Sequence, residues 1–148
     1  MRPRYVAVCG ASEATPSQLD TAREVGKLLA KEGCIVINGG YGGVMDAASE
    51  GAASEGGIVV GILAEADRDG ASPHLTVSIP TGLGQARNLV IVTAADSVIA
   101  IGAGWGTLSE IALARKLGRS VFGLDTWDVK GLDVVRTPAE AVKRALGE

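Results

Sequence analysis

Most of the residues that could carry chemistry in this chain lie in glycine-rich stretches that follow apolar runs. The stretch Gly102-Ala103-Gly104-Trp105-Gly106-Thr107 comes directly after the apolar run Ser97–Ile101 and opens into a helical pattern. Such a junction offers backbone N–H groups and the positive end of a helix dipole to an anion, and glycine lets a phosphate approach the backbone closely. Gly104, Trp105, Gly106 and Thr107 are therefore candidate phosphate contacts. A tight strand-to-helix turn is the other reading, although one glycine would suffice for it. A second stretch, Gly39-Gly40-Tyr41-Gly42-Gly43, precedes a helix with no polar cap, which makes Gly39, Gly40, Gly42 and Gly43 candidate anion or ribose contacts. Here the alternative is a close crossing of two backbone segments. Gly10 and Ser12, in the turn after the first strand-like run, complete the set.

Two charged residues stand beside these loops. Glu110 follows Thr107 at the spacing of a capping box, in which the carboxylate folds back onto a backbone N–H. The same carboxylate could instead orient a water or stabilise a cationic sugar in a transition state. Arg87 begins a helix whose next residues, Leu89 to Val92, are all apolar, so the helix should be largely buried and Arg87 should need a partner. A ligand phosphate, Glu110 or Asp96 could supply it. Trp105, in a chain with few aromatics, could stack on a base, fill a subunit interface or simply pack.

Several chemistries lack their residues. The first strand leads to a single glycine, so the dinucleotide fingerprint is missing, and no G-x-x-x-x-G-K-[ST] loop occurs. His74 is the only histidine, which leaves little material for a histidine-based triad or metal cluster, and no metal site is expected. Cys9 and Cys34 read as small buried hydrophobes, placed at opposite ends of neighbouring strands and so too far apart for a disulfide.

The elements that must position these residues alternate along the chain. Short β-branched runs at Tyr5–Cys9, Cys34–Ile37, Ile58–Ile62, Thr76–Ile79, Ser97–Ile101 and Val121–Gly123, with a doubtful one at Leu132–Val135, are separated by helical segments. Helices are expected from Thr15-Pro16 to about Glu32, over about Val44 to Ser54, Gln85 to Ala94 and Thr107 to Leu117, and from Thr137-Pro138 to near Leu146. Nearly unbroken apolar strands imply a sheet covered on both faces. The prediction is an α/β, Rossmann-like single domain over 1–148, with a mostly parallel sheet of six or seven strands and helices on both faces. Ala64 to Pro73, polar and without periodicity, reads as an exposed excursion.

A formal net charge of -3 and only five aromatic residues argue against a nucleic-acid binder. The longest apolar run, Leu89 to Ala95, is far short of a bilayer span, and Met1 to Arg4 has no signal-peptide pattern, so the expected location is cytoplasmic with no membrane partner.

At its two main glycine loops the sequence resembles the lonely-guy family, once labelled possible lysine decarboxylases, and the related Rossmann-like carriers of molybdenum cofactor. Gly39-Gly40-Tyr41-Gly42-Gly43-Val44-Met45 matches the family's glycine cluster leading to Gly-Leu-Met. Gly102-Ala103-Gly104-Trp105-Gly106-Thr107-Leu108-Ser109-Glu110 matches Pro-Gly-Gly-x-Gly-Thr-x-x-Glu, and Arg87 matches an arginine on the preceding helix. The resemblance implies that the glycine loops and Thr107 hold phosphate while Arg87 and Glu110 serve as catalytic residues, cutting a nucleoside 5'-monophosphate to base and ribose 5-phosphate. Gly102 and Ala103 stand where the family has Pro and Gly, and Asn88 where its enzymes have Lys, which implies the branch containing the non-catalytic carriers. On that branch the ligand is a nucleotide or a molybdopterin-type cofactor, no further cofactor is required, and the partner is a small phosphorylated ligand. The resemblance also implies a homodimer or higher homo-oligomer. Decarboxylation is disfavoured because Lys27, Lys31, Lys116, Lys130 and Lys143 fall on predicted helix surfaces or a polar loop, and none suits a buried Schiff base.

Overall fold

The alternation of apolar runs and capped helices folds into one parallel sheet. The computed structural model describes residues Arg2–Glu148. Its strands are β1 (Tyr5–Gly10), β2 (Ile35–Asn38), β3 (Ile58–Leu63), β4 (Val77–Pro80), β5 (Ser97–Gly102), β6 (Ser120–Thr126) and β7 (Asp133–Val134). The helices are α1 (Pro16–Lys31), α2 (Val44–Ser54), α3 (Arg87–Ala94), α4 (Trp105–Lys116) and α5 (Pro138–Ala145). Strand order is β4-β3-β2-β1-β5-β6-β7, every pair parallel.

Strand residues alternate between two cores. Val6, Val8, Val36, Ile99 and Ile101 pack with α1, α2 and α5. Ala7, Cys9, Ile37, Val98 and Ala100 pack with Ile91 and Val92 of α3 and Ile111 and Ala114 of α4. Both faces are thus covered, the condition that an unbroken apolar strand requires. On the first face α1 and α2 pack almost backbone to backbone. A Cβ on Gly26 would stand 2.0 Å from the Ala48 carbonyl oxygen, and one on Gly51 would stand 1.9 Å from that of Arg23.

The chain crosses to one side of β1 through α1 and β2, and to the other at β5, so the loops after β1 and β5 diverge. A crevice opens at that switch point, beyond the carboxyl ends of the strands, where ligands bind in open α/β sheets.

Local signals hold where the cap is made. Thr15 Oγ1 accepts from Gln18 N at 3.1 Å, and Gln18 Oε1 accepts from Thr15 N at 3.0 Å. The elements depart from expectation at the edges. β6 extends to Thr126, β7 has only two residues, and Cys34 precedes β2 instead of opening it. The edge strand β4 leaves Val77 and Ile79 each 44% exposed. The expectation that α3 is largely buried is corrected: Arg87, Asn88, Ile91 and Val92 are buried, while Leu89 and Val90 face outward. At 3.6 residues per turn, a single helix laid on a sheet can bury only one side of a four-residue apolar run. No helix among the described residues is long and apolar enough to cross a membrane.

Candidate functional site

A cleft of about 640 Å³ occupies the switch point. It is lined by Gly10, Ala11 and Ser12 from the β1 loop, Tyr41 and Met45 at the start of α2, Arg87 and Asn88 of α3, and Gly104 to Thr107 with Glu110 on α4. Residues from four separate loops and helix starts thereby face one space.

Helix α4 begins earlier than its sequence signal suggests. The N-cap is Gly104, with no side-chain cap, and Leu108 N is the first amide to reach back, to Gly104 O at 3.1 Å. The amides of Trp105, Gly106 and Thr107 precede that first bond, at the positive end of the dipole. The capping-box reading of Thr107 and Glu110 is therefore corrected. Both residues lie inside the helix, one turn apart on its inner face, and both are buried. The Thr107 hydroxyl, 2% exposed as a residue, has no hydrogen-bond partner.

Arg87 is 7% exposed, and its Nε also lacks a partner. Asp96 does not supply one. It sits before β5, at the opposite end of the sheet from the cleft, and is bound by Arg2 at 2.7 and 3.1 Å and by Tyr5 N at 2.9 Å. The Arg2 hydrogen bond holds the Asp96 carboxyl down at about 2. Among the described residues no carboxylate lies within ion-pair distance of Arg87. Its guanidinium carbon lies 5.7 Å from the centre of the Tyr41 ring, and the Tyr41 hydroxyl is fixed by accepting from Ala64 N and Glu65 N at 3.1 and 3.2 Å. A guanidinium is thus buried beside a π-face with an unsatisfied donor.

Glu110 is 8% exposed. Burial pushes its carboxyl up to about 7, against the opposing pull of a hydrogen bond with Cys9 and the charge of Arg87. Burial likewise pushes the Cys9 thiol well up, so it remains S–H and can donate to the carboxylate. Asn88 Nδ2 donates to Ser109 Oγ at 3.0 Å and ties α3 to α4 along the cleft wall.

The glycines divide by role. Gly39 and Gly40 are buried and are not among the residues lining this cleft. A Cβ on Gly39 would collide with Arg87 Nη1, and one on Gly40 would collide with the Leu63 side chain. A Cβ on Gly43 would stand 2.4 Å from the carbonyl oxygens of Ala11 and Ser12, so two backbone segments cross closely at this residue. Gly42 is exposed, and Gly43 borders an adjoining cleft of about 660 Å³ that shares Ser12 with the first. Gly102 has φ +80, a conformation that proline, with φ held near −65°, cannot adopt. Proline at this position would therefore require a different local backbone path.

Sequence reasoning missed Tyr41, Ser109 and Trp127 as parts of this site. Trp127 Nε1 donates to Gly104 O at 3.0 Å, and its ring lies 5.1 Å from that of Trp105. No local signal marks it, because β6 brings it beside β5 only in the folded sheet. His74, expected as a loop residue, lies 3.8 Å from Glu50 and within 4.8 Å of Asp46 and Glu50 as a group. Arg23 already binds Glu50 at 3.0 Å, and Ser72 donates to Asp46 at 2.6 Å, which makes an ion-pair and hydrogen-bond network.

Residues 3–145 match the model of the SLOG cluster4 family. The chain belongs to this family. An uncharacterized protein of Archaeoglobus fulgidus is 43% identical to this SLOG cluster4 chain over 143 residues, covering 96% of it and 94% of the relative. Among solved structures, the molybdenum cofactor binding protein of Rippkaea orientalis superposes with a TM-score of 0.94 at 35% identity, over 99% of this chain and 98% of that one. The molybdenum cofactor carrier protein of Chlamydomonas reinhardtii gives 0.89 at 31%, over 99% and 100%. DNA processing protein A of Helicobacter pylori, at 21% identity and a TM-score of 0.75, shares the fold alone. The comparisons support the carrier side of the resemblance; membership of the lonely-guy enzymes is not shown by them.

Proposed function

We propose that this SLOG cluster4 protein binds a phosphorylated pterin of the molybdenum-cofactor type in the switch-point cleft and carries it. The observation that supports this reading most directly is that two residues lining the cleft, Arg87 and Thr107, carry buried polar atoms without partners, Nε and Oγ1, beside the uncapped start of α4. Leaving buried polar groups unpaired costs about 1–3 kcal/mol each, and a bound phosphate oxygen would remove that cost. The donor set fits a phosphate monoester: one guanidinium, one hydroxyl and helix-start amides. When bound, the cofactor would supply its own metal chemistry, and the residues here would bind its phosphate, orient it and limit its contact with water. The carrier relatives named in the solved structures support the pterin identity.

The test is to purify the chain from a host that makes molybdenum cofactor, then measure molybdenum and released fluorescent pterin. Wild type should carry both, and Arg87→Met should carry neither above background. An empty wild-type protein overturns the reading.

A second reading, hydrolysis of nucleoside 5'-monophosphates, rests on Glu110, whose carboxyl is held near 7 in the same cleft as Arg87 and could donate or accept a proton. Incubation with AMP and other monophosphates tests it. Free base produced by wild type but not by Glu110→Gln would support it, and no base from any monophosphate would remove it. A homo-oligomer is proposed on the outward Leu83, Leu89 and Val90, and sedimentation of wild type against Val90→Glu checks it.

A further inference from the structure

Resting on the cofactor-binding reading above, we infer that Trp105 is the stacking platform for the planar heterocycle of the ligand whose phosphate lies at Arg87 and Thr107. Trp105 is 78% exposed, the most exposed large hydrophobic residue among those described, yet it lines the cleft. It stands at the first position of α4, directly after Gly104, so a group stacked on its indole lies beside the same helix start that faces the phosphate.

The indole is braced from behind. The Trp127 ring packs against it at 5.1 Å with a 40° tilt, and Trp127 is itself held by its hydrogen bond to Gly104 O. One ring thus has its back supported while most of its surface stays open. Of the five aromatic residues in the chain, Tyr41, Trp105 and Trp127 gather at this cleft. Tyr41 already has the Arg87 guanidinium near its ring and its hydroxyl bonded to backbone, which leaves Trp105 as the open face. Aromatic faces accept flat heterocycles with little regard to their edges, and such stacking is worth about 5-fold to 150-fold in affinity. The ligand class this assigns is a phosphate monoester joined by a short chain to a flat, conjugated ring.

The experiment compares neopterin monophosphate with glycerol 3-phosphate, which has the phosphate and a short hydroxylated chain but no ring. Calorimetry should show wild type binding the pterin probe at least about 10-fold more tightly than glycerol 3-phosphate. Trp105→Ala should bring that ratio to about one without changing the affinity for glycerol 3-phosphate, and Trp105→Phe should keep most of the ratio. A ratio unaltered in Trp105→Ala overturns the inference while phosphate binding stands. Dissociation of an oligomer by Trp105→Ala with the ratio unaltered overturns it in favour of a subunit contact. If neither probe binds wild type, or both bind regardless of Arg87→Met, the underlying reading falls and this inference with it.

Discussion

A Cβ on Gly39 would stand 1.9 Å from Nη1 of Arg87, so the guanidinium occupies space that only a missing side chain leaves open. The clash would be with the far end of a flexible side chain, which can move. Gly39→Ala is therefore expected to displace Arg87 more than it disturbs the fold. Affinity for neopterin monophosphate should fall about 10-fold or more, as for loss of a charged hydrogen bond, with a much smaller fall in unfolding free energy. Titration calorimetry and urea denaturation of the same variant check both halves.

Thr107 supports a second prediction with opposite signs for stability and binding. Its buried hydroxyl lacks a hydrogen-bond partner, and Thr107→Val replaces it with a methyl of the same shape. The ligand-free variant should be more stable by about 1–3 kcal/mol, while its affinity for phosphate-bearing probes falls. Equal stability of the two proteins in urea would show that the hydroxyl is satisfied in solution.

Glu110 should make stability depend on pH in a stated direction. Its folded carboxyl titrates near 7, against 4.5 when unperturbed, because burial disfavours the charged form. Below 4.5 the proton is held in both states and there is no penalty. Between 4.5 and 7 the unfolded chain releases it first, so stability falls as pH rises, and the full cost of about 3 kcal/mol is present above 7. Glu110→Gln removes this titration. Its melting temperature relative to wild type should rise from pH 4.5 to pH 8, and a difference independent of pH would contradict the burial argument. Cys9 and Arg87 face the carboxyl and both favour its charge, so Cys9→Ala should move the midpoint higher still.

The contact between α1 and α2 makes the last prediction. Ala at Gly26 or Gly51 would place a methyl within about 2 Å of a backbone carbonyl oxygen that no side-chain rotation can move. Either substitution should cost about 1–3 kcal/mol in urea denaturation, as overpacking does, while leaving the spacing of the cleft loops to be checked by ligand affinity.

The runs Tyr5–Cys9, Ser97–Ile101 and the capped start at Thr15 carry their structure in their own residues, because apolar periodicity and capping are local properties. That is why the parallel α/β sheet and the glycine loop before α4 are legible without coordinates. The roles of Gly39, Thr107 and Trp127 are not. Whether a glycine meets a ligand or a guanidinium depends on which strand lies beside it. Thr107 and Glu110 have the spacing of a capping box, and only the helix start at Gly104 turns both inward. Asp96 and Glu110 were equal candidates to pair with Arg87 until the sheet placed Asp96 at its other end, with Arg2. Local sequence thus decided the elements and the glycine loop that opens α4. Tertiary packing decided which polar groups end up buried without partners, because burial and pairing arise only between segments far apart in the chain.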